Sequence, residues 1–133
     1  MNIDLLKKLA NKFKRMRHKQ HFNMDDWIRR TECGTAACVA GWALLEAGYK
    51  ATFEVLNGGC DCASCSKPEL IVISPSGKRV DPEQAAQKLL RLTDNQAERL
   101  FHSSQWPSKF GDYNDPKVAA KRIELFIDTH GKE

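Results

Sequence analysis

The chain has 133 residues, with 21 Lys and Arg against 17 Asp and Glu, a formal net charge of +4 and 41% hydrophobic residues. That length suits one domain, 1–133, with a core of its own, and a charged share of 29% argues against wholesale disorder. No apolar run approaches the roughly 20 residues of a membrane span, and lysines interrupt Ile3, Leu5, Leu6 and Leu9 before a secretory apolar block can form.

In chain order, the first predicted element is a helix over about residues 2–18. Leu5, Leu6, Leu9, Phe13 and Met16 recur at spacings of one, three and four, which draws an apolar stripe along one helix face. Asn23 is placed to cap a short second helix through Asp26, Trp27 and Ile28, with Asp25 and Asp26 in its acidic first turn. Thr35 then reads as the cap of a third helix running to Leu45, with Gly48 as its stop. Being apolar nearly all round, that helix should be the central, buried one. Its small residues Ala36, Ala37, Ala40 and Gly41 would admit a close neighbour. Gly41 costs about 1 kcal/mol of helix propensity against Ala, which implies a packing reason for it.

The middle of the chain reads as β structure. Residues 51–56 and 69–74 form two short runs joined by Asn57-Gly58-Gly59 and a Cys-rich tip over 57–68, a hairpin with a long connection. Pro75-Ser76-Gly77-Lys78 is a turn. Helical signals then return. Asp81-Pro82 opens one helix, Thr93-Asp94-Asn95-Gln96 has the form of a capping box for the next, and Asp115-Pro116 opens the last. The expected fold class is α+β, a mostly helical single domain of about five to six helices with one small antiparallel hairpin.

Charge is unevenly spread. Residues 1–30 carry nine Lys/Arg and three Asp, a net of +6, while residues 31–133 carry a net of −2. A basic first quarter invites an acidic partner, and nucleic acid through residues 7–30 is one such partner. A solvated helix face accounts for the same lysines without any ligand. Lys12, Lys14, Arg15, Arg17 and Lys19 are the candidate contacts there. A second candidate surface is the loop of residues 103–114, where Trp106, Phe110 and Tyr113 accompany Lys109. The competing reading is a loop folded onto the core by its own aromatics.

Five Cys cannot all pair internally, which fits reduced thiols and a cytoplasmic location. Cys60, Cys62 and Cys65 form C-x-C-x₂-C at the hairpin tip. Thiolates so close converge on a soft metal, and one structural zinc is the natural cofactor, its fourth ligand left open among Cys33, Cys38, a His and Asp61. A flexible tip with exposed thiols is the competing reading, and a redox role is a third. Cys33 and Cys38 flank a predicted helix start, where the dipole favours thiolate. Packing in the core of a small-residue helix is the leading reading of both thiols, and a cysteine-dependent hydrolase, with His102 or His130 as the base, is the alternative. Glu32-Cys33-Gly34 is similar to the Asp/Glu-Cys-Gly start of bacteriocin-processing cysteine peptidases, although the second Cys falls one residue further on.

The run from Cys33 to Ala43, preceded by Phe22-Asn23-Met24-Asp25-Asp26-Trp27, resembles a family of small bacteriophage and bacterial proteins with an F-x-M-x-x-W start and a C-G-T-x-x-C-x-A-G-W-A motif. The stretch Ala86 to Phe101 is similar to its downstream part. The resemblance implies an intracellular protein borne by a phage or mobile element, acting in the host cytosol on a host protein or defence system. The functional expectation is therefore a non-enzymatic binding protein with a host protein as partner and no membrane partner. A zinc-stabilised nucleic-acid-binding module and a cysteine-dependent hydrolase are the alternatives.

Overall fold

The computed structural model describes residues 1–17, 19–31, 34–55 and 68–132. Among them the fold is α+β and mostly helical, with five α-helices and two small antiparallel sheets. Cys33 and the tip cysteines Cys60, Cys62 and Cys65 lie outside the described residues, as does His18.

Helix α1 spans Ile3–Arg15, with the Asn2 side chain accepting from the Leu5 N–H as its cap. It buries Leu6, Leu9, Ala10 and Phe13, so the apolar stripe is the core face. That face packs on α5, Pro116–Asp128, whose Ile123 and Phe126 are fully buried. A short 3₁₀ turn, Lys19–His21, leads to Phe22, whose ring meets that of Phe13 edge-on at 4.9 Å.

The expected short helix after Asn23 does not form. Asn23 instead accepts from the Asp25 N–H, closing a turn, and Met24 N–H is taken by the Asn114 side chain at 2.9 Å. The chain then enters strand β1, Ile28–Thr31, which pairs antiparallel with β2, Gly34–Ala37, in the register Ile28 opposite Ala37. So the segment expected to start the third helix at Thr35 is extended as far as Ala37. Ala36 and Ala37 carry high helix propensity, but a strand partner and burial outweigh it. Helix α2, Val39–Glu46, starts three residues later than a Thr35 cap would place it, with Cys38 as its cap.

Helix α2 is central as expected, with Val39, Ala40, Gly41, Ala43 and Leu44 buried. The packing reason for Gly41 is the Trp27 carbonyl, which lies where a side chain would begin. Strand β3, Lys50–Val55, pairs with β4, Pro68–Ile73, with Phe53 opposite Leu70. The turn at 75–78 brings a further short strand, β5 (Arg79–Val80), against β4. The expected single hairpin is thus a three-stranded sheet beside a separate two-stranded one.

The later helices begin where their caps predict. Asp81 caps α3, Pro82–Leu90. Thr93 and Gln96 form a reciprocal capping box for α4, Asp94–Phe101, and Asp115 caps α5. No helix among the described residues is long and apolar enough to cross a membrane.

Candidate functional site

Burying one face of α1 dictates what the other presents. Lys8, Asn11, Lys12 and Arg15 follow at three- and four-residue steps, so they line one side of the helix. Helix α2 crosses beside them and offers Trp42 and Glu46, one turn apart. Together with Arg17 and His21, these residues bound a cleft of about 640 Å³.

Glu46 organises the cleft floor. Its Oε1 accepts from Lys12 Nζ at 2.5 Å, and its Oε2 lies 3.3 Å from Lys8 Nζ. The Lys12 hydrogen bond, aided by Lys8, holds the Glu46 carboxyl below the usual glutamate range despite partial burial. Lys12 also sits 4.7 Å over the Trp42 ring, a cation–π contact. The indole N–H donates to the His21 carbonyl at 2.9 Å, which fixes the ring plane. Arg15 and Arg17 are exposed at the cleft edge. The balance is four cations against one carboxylate in a concave site with a half-buried aromatic. Such an arrangement attracts and orients an anionic group.

The candidate residues divide. Lys12, Arg15 and Arg17 come together in the cleft. Lys14 turns the other way and pairs with Glu124 of α5. Lys19 opens the 3₁₀ turn that carries His21. In the 103–114 loop the structure corrects the reading of Trp106 as a surface contact: it is only 8% exposed, and its indole N–H donates to the Leu100 carbonyl at 3.0 Å. Lys109 lies 5.7 Å over the Phe110 ring, and Tyr113 is exposed. Lys8, His21, Trp42 and Glu46 were not among the sequence candidates. Glu46 carried a signal, as the single acidic residue of an otherwise apolar helix.

Cys38 is buried in the core, as the packing reading expects. Cys38 does sit at a helix N-terminus, its sulfur 3.5 Å from the Gly41 N–H and 3.8 Å from the Trp27 carbonyl. Burial nevertheless pushes its thiol up to about 11, because desolvation of a thiolate outweighs the cap hydrogen bonds. It is a structural cap, with backbone groups around its sulfur. His102 pairs with Glu83 at 3.2 Å, and His130 follows the last turn of α5. Iodoacetamide applied to the native protein near pH 8, followed by peptide mass mapping, is expected to leave Cys38 unmodified until denaturant is added. Rapid native labelling at Cys38 would refute the structural assignment.

Among the described residues, no group of three or more His, Cys, Asp and Glu is placed to hold a metal. The chain matches no protein-family model, no curated protein and no solved structure.

Proposed function

We propose that this chain is a non-enzymatic binding protein whose cleft between α1 and α2 takes an acidic segment of a partner protein. The observation that carries the reading is the convergence of Lys8, Lys12, Arg15 and Arg17 around a Trp42 ring held in place by the His21 carbonyl. Fixed aromatics with cations at their edge are the side chains that contribute most at protein interfaces. Glu46 favours a peptide over a phosphate backbone, since it neutralises part of the floor and repels a uniformly charged strand. The resemblance of the Cys33–Ala43 run to phage and bacterial proteins supports a host-cell protein as the partner, met in the host cytosol, with antagonism of a defence system as the sharpest form.

A second reading, binding of nucleic acid by the same cations, is supported by the +6 balance of the first thirty residues. A zinc on Cys60, Cys62 and Cys65 belongs to that reading as a clamp for the β3–β4 connection. Its test is elemental analysis of the protein before and after replacing the three by Ser.

Arg15→Glu with Arg17→Glu separates the possibilities, since both residues are exposed and lie apart from the Glu46 pairs. The wild type should retain a stoichiometric acidic protein from bacterial lysate, and the double variant should weaken that complex at least tenfold, about 1.4 kcal/mol or more for two reversed charges. A complex indifferent to the double variant, or no stoichiometric partner at all, would defeat the reading. Binding of an oligothymidine that falls steeply with added salt would favour nucleic acid instead.

A further inference from the structure

A second cavity, of about 620 Å³, lies between the chain that enters β1 and the β3–β4 pair. Trp27, Ile28 and Arg29 line it from one element, and Phe53 of β3 with Leu70 opposite it on β4 line it from the other. Asp25 and Asp26 complete the lining among the described residues. Volume and make-up are those of a small-molecule site, mostly apolar with a few converging polar groups.

The segment that carries the two carboxylates is pinned through its backbone. Met24 N–H donates to Asn114 Oδ1 at 2.9 Å, and Asp25 N–H donates to Asn23 Oδ1 at 2.8 Å. The Asp26 carbonyl accepts from the Cys38 N–H at 3.2 Å. The Trp27 ring stands edge-on to the rings of Phe101 and His102, at 6.4 and 6.5 Å. The ring and the backbone beneath the carboxylates are thus set before a ligand arrives, which lowers the cost of binding. Asp26 lies 3.7 Å from Arg29, a long and exposed pair that neutralises little. Asp25 is exposed and pairs with no cation among the described residues. The described lining therefore holds two carboxylates against one guanidinium.

Charge and wall chemistry select the ligand together. An organic anion would meet two carboxylates. A small hydrophilic cation would leave Trp27, Phe53 and Leu70 uncovered. An ammonium group on an aromatic body satisfies both, since the rings of the wall stack with a flat apolar group and also attract a cation. We infer that this cavity binds a free aromatic amine, its rings against Trp27, Phe53 and Leu70 and its ammonium group toward Asp25 and Asp26. The sign of the charge is opposite to that of the cleft between α1 and α2, so the two sites take different ligands.

The test is titration of the full chain at low salt with tryptamine, indole-3-propionate and ethylamine, followed by calorimetry and by the indole N–H resonances in NMR. Trp27→Phe assigns the Trp27 resonance. Tryptamine should shift it saturably, while Trp106, whose N–H is held by the Leu100 carbonyl, should stay in place and serve as the fold control. Indole-3-propionate keeps the ring and reverses the charge, ethylamine keeps the charge and lacks the ring, and each should bind at least tenfold more weakly. Asp25→Asn with Asp26→Asn leaves the pinned backbone intact and should weaken tryptamine about fivefold or more. Phe53→Ala should weaken it about tenfold by removing apolar wall. The inference is overturned by an unchanged affinity in the Asp25/Asp26 double variant, by indole-3-propionate binding as tightly as tryptamine, by shifts confined to Trp42, or by no saturable binding of tryptamine. A lysine- and tryptophan-bearing hexapeptide preferred at least tenfold over tryptamine would likewise overturn the assignment to a free amine.

Discussion

Gly41→Ala is expected to destabilise the protein by about 3 kcal/mol, although propensity alone predicts a gain of about 1 kcal/mol for the same change in a helix. A Cβ built on Gly41 would stand 2.9 Å from the Ala37 Cβ and closer still to the Trp27 carbonyl oxygen, both tighter than real Cβ atoms allow. Neither neighbour is the loose end of a side chain. Trp27 leads directly into β1, and Ala37 pairs with Ile28 at the end of the two-stranded ladder. Relief therefore requires α2 to move away from the strands, opening the buried surface around Val39 and Ala40. For a chain of this size the cost translates into a drop in Tm of roughly 10 °C, readable by calorimetry or circular dichroism. A variant as stable as the wild type would mean that α2 sits further from Trp27 than described.

Phe13→Ala is expected to cost about 3–5 kcal/mol, the range for a fully buried aromatic truncated to a methyl group. Phe13 is 0% exposed and meets Phe22 at 4.9 Å with rings inclined by 67°. It is thus the point at which α1 is fastened to the segment that carries His21, whose carbonyl fixes Trp42. Loss of the ring should loosen the cleft as well as the core. Chemical denaturation reports the stability change, and indole amide exchange at Trp42 reports the cleft. Replacement by Leu, which refills most of the volume, should recover more than half of the lost stability; equal losses for Ala and Leu would point to the ring contact rather than to the cavity.

The helix starts at Asp81, Thr93 and Asp115 were legible because a cap is a local device: the side chain and the N–H it accepts lie two or three residues apart. The β1–β2 ladder was not. Gly34–Ala37 holds two alanines that favour helix, and its preference for strand comes from Ile28–Thr31 opposite, beyond the reach of any local pattern. The candidate cleft follows the same division. Net charge pointed to Lys12, Arg15 and Arg17, and their helical spacing was readable. That Lys8 and Lys12 meet Glu46, 34 residues on from Lys12, depends on how α1 and α2 cross. The burial of Trp106 likewise rests on a carbonyl offered by α4.

The clasp of residues 22–28 around the start of α2 also bears on the order in which the chain assembles. Asn23 N–H meets the Ala37 carbonyl, Cys38 N–H meets the Asp26 carbonyl, and Gly41 closes on Trp27, all across fewer than 20 residues. Docking α1 on α5, as in the Lys14–Glu124 pair, closes a loop of more than 100 residues. Short loops form at a lower entropic cost and hence faster. In kinetic terms residues 22–46 make a natural nucleus, and the first and last helices are the late seam that completes the molecule.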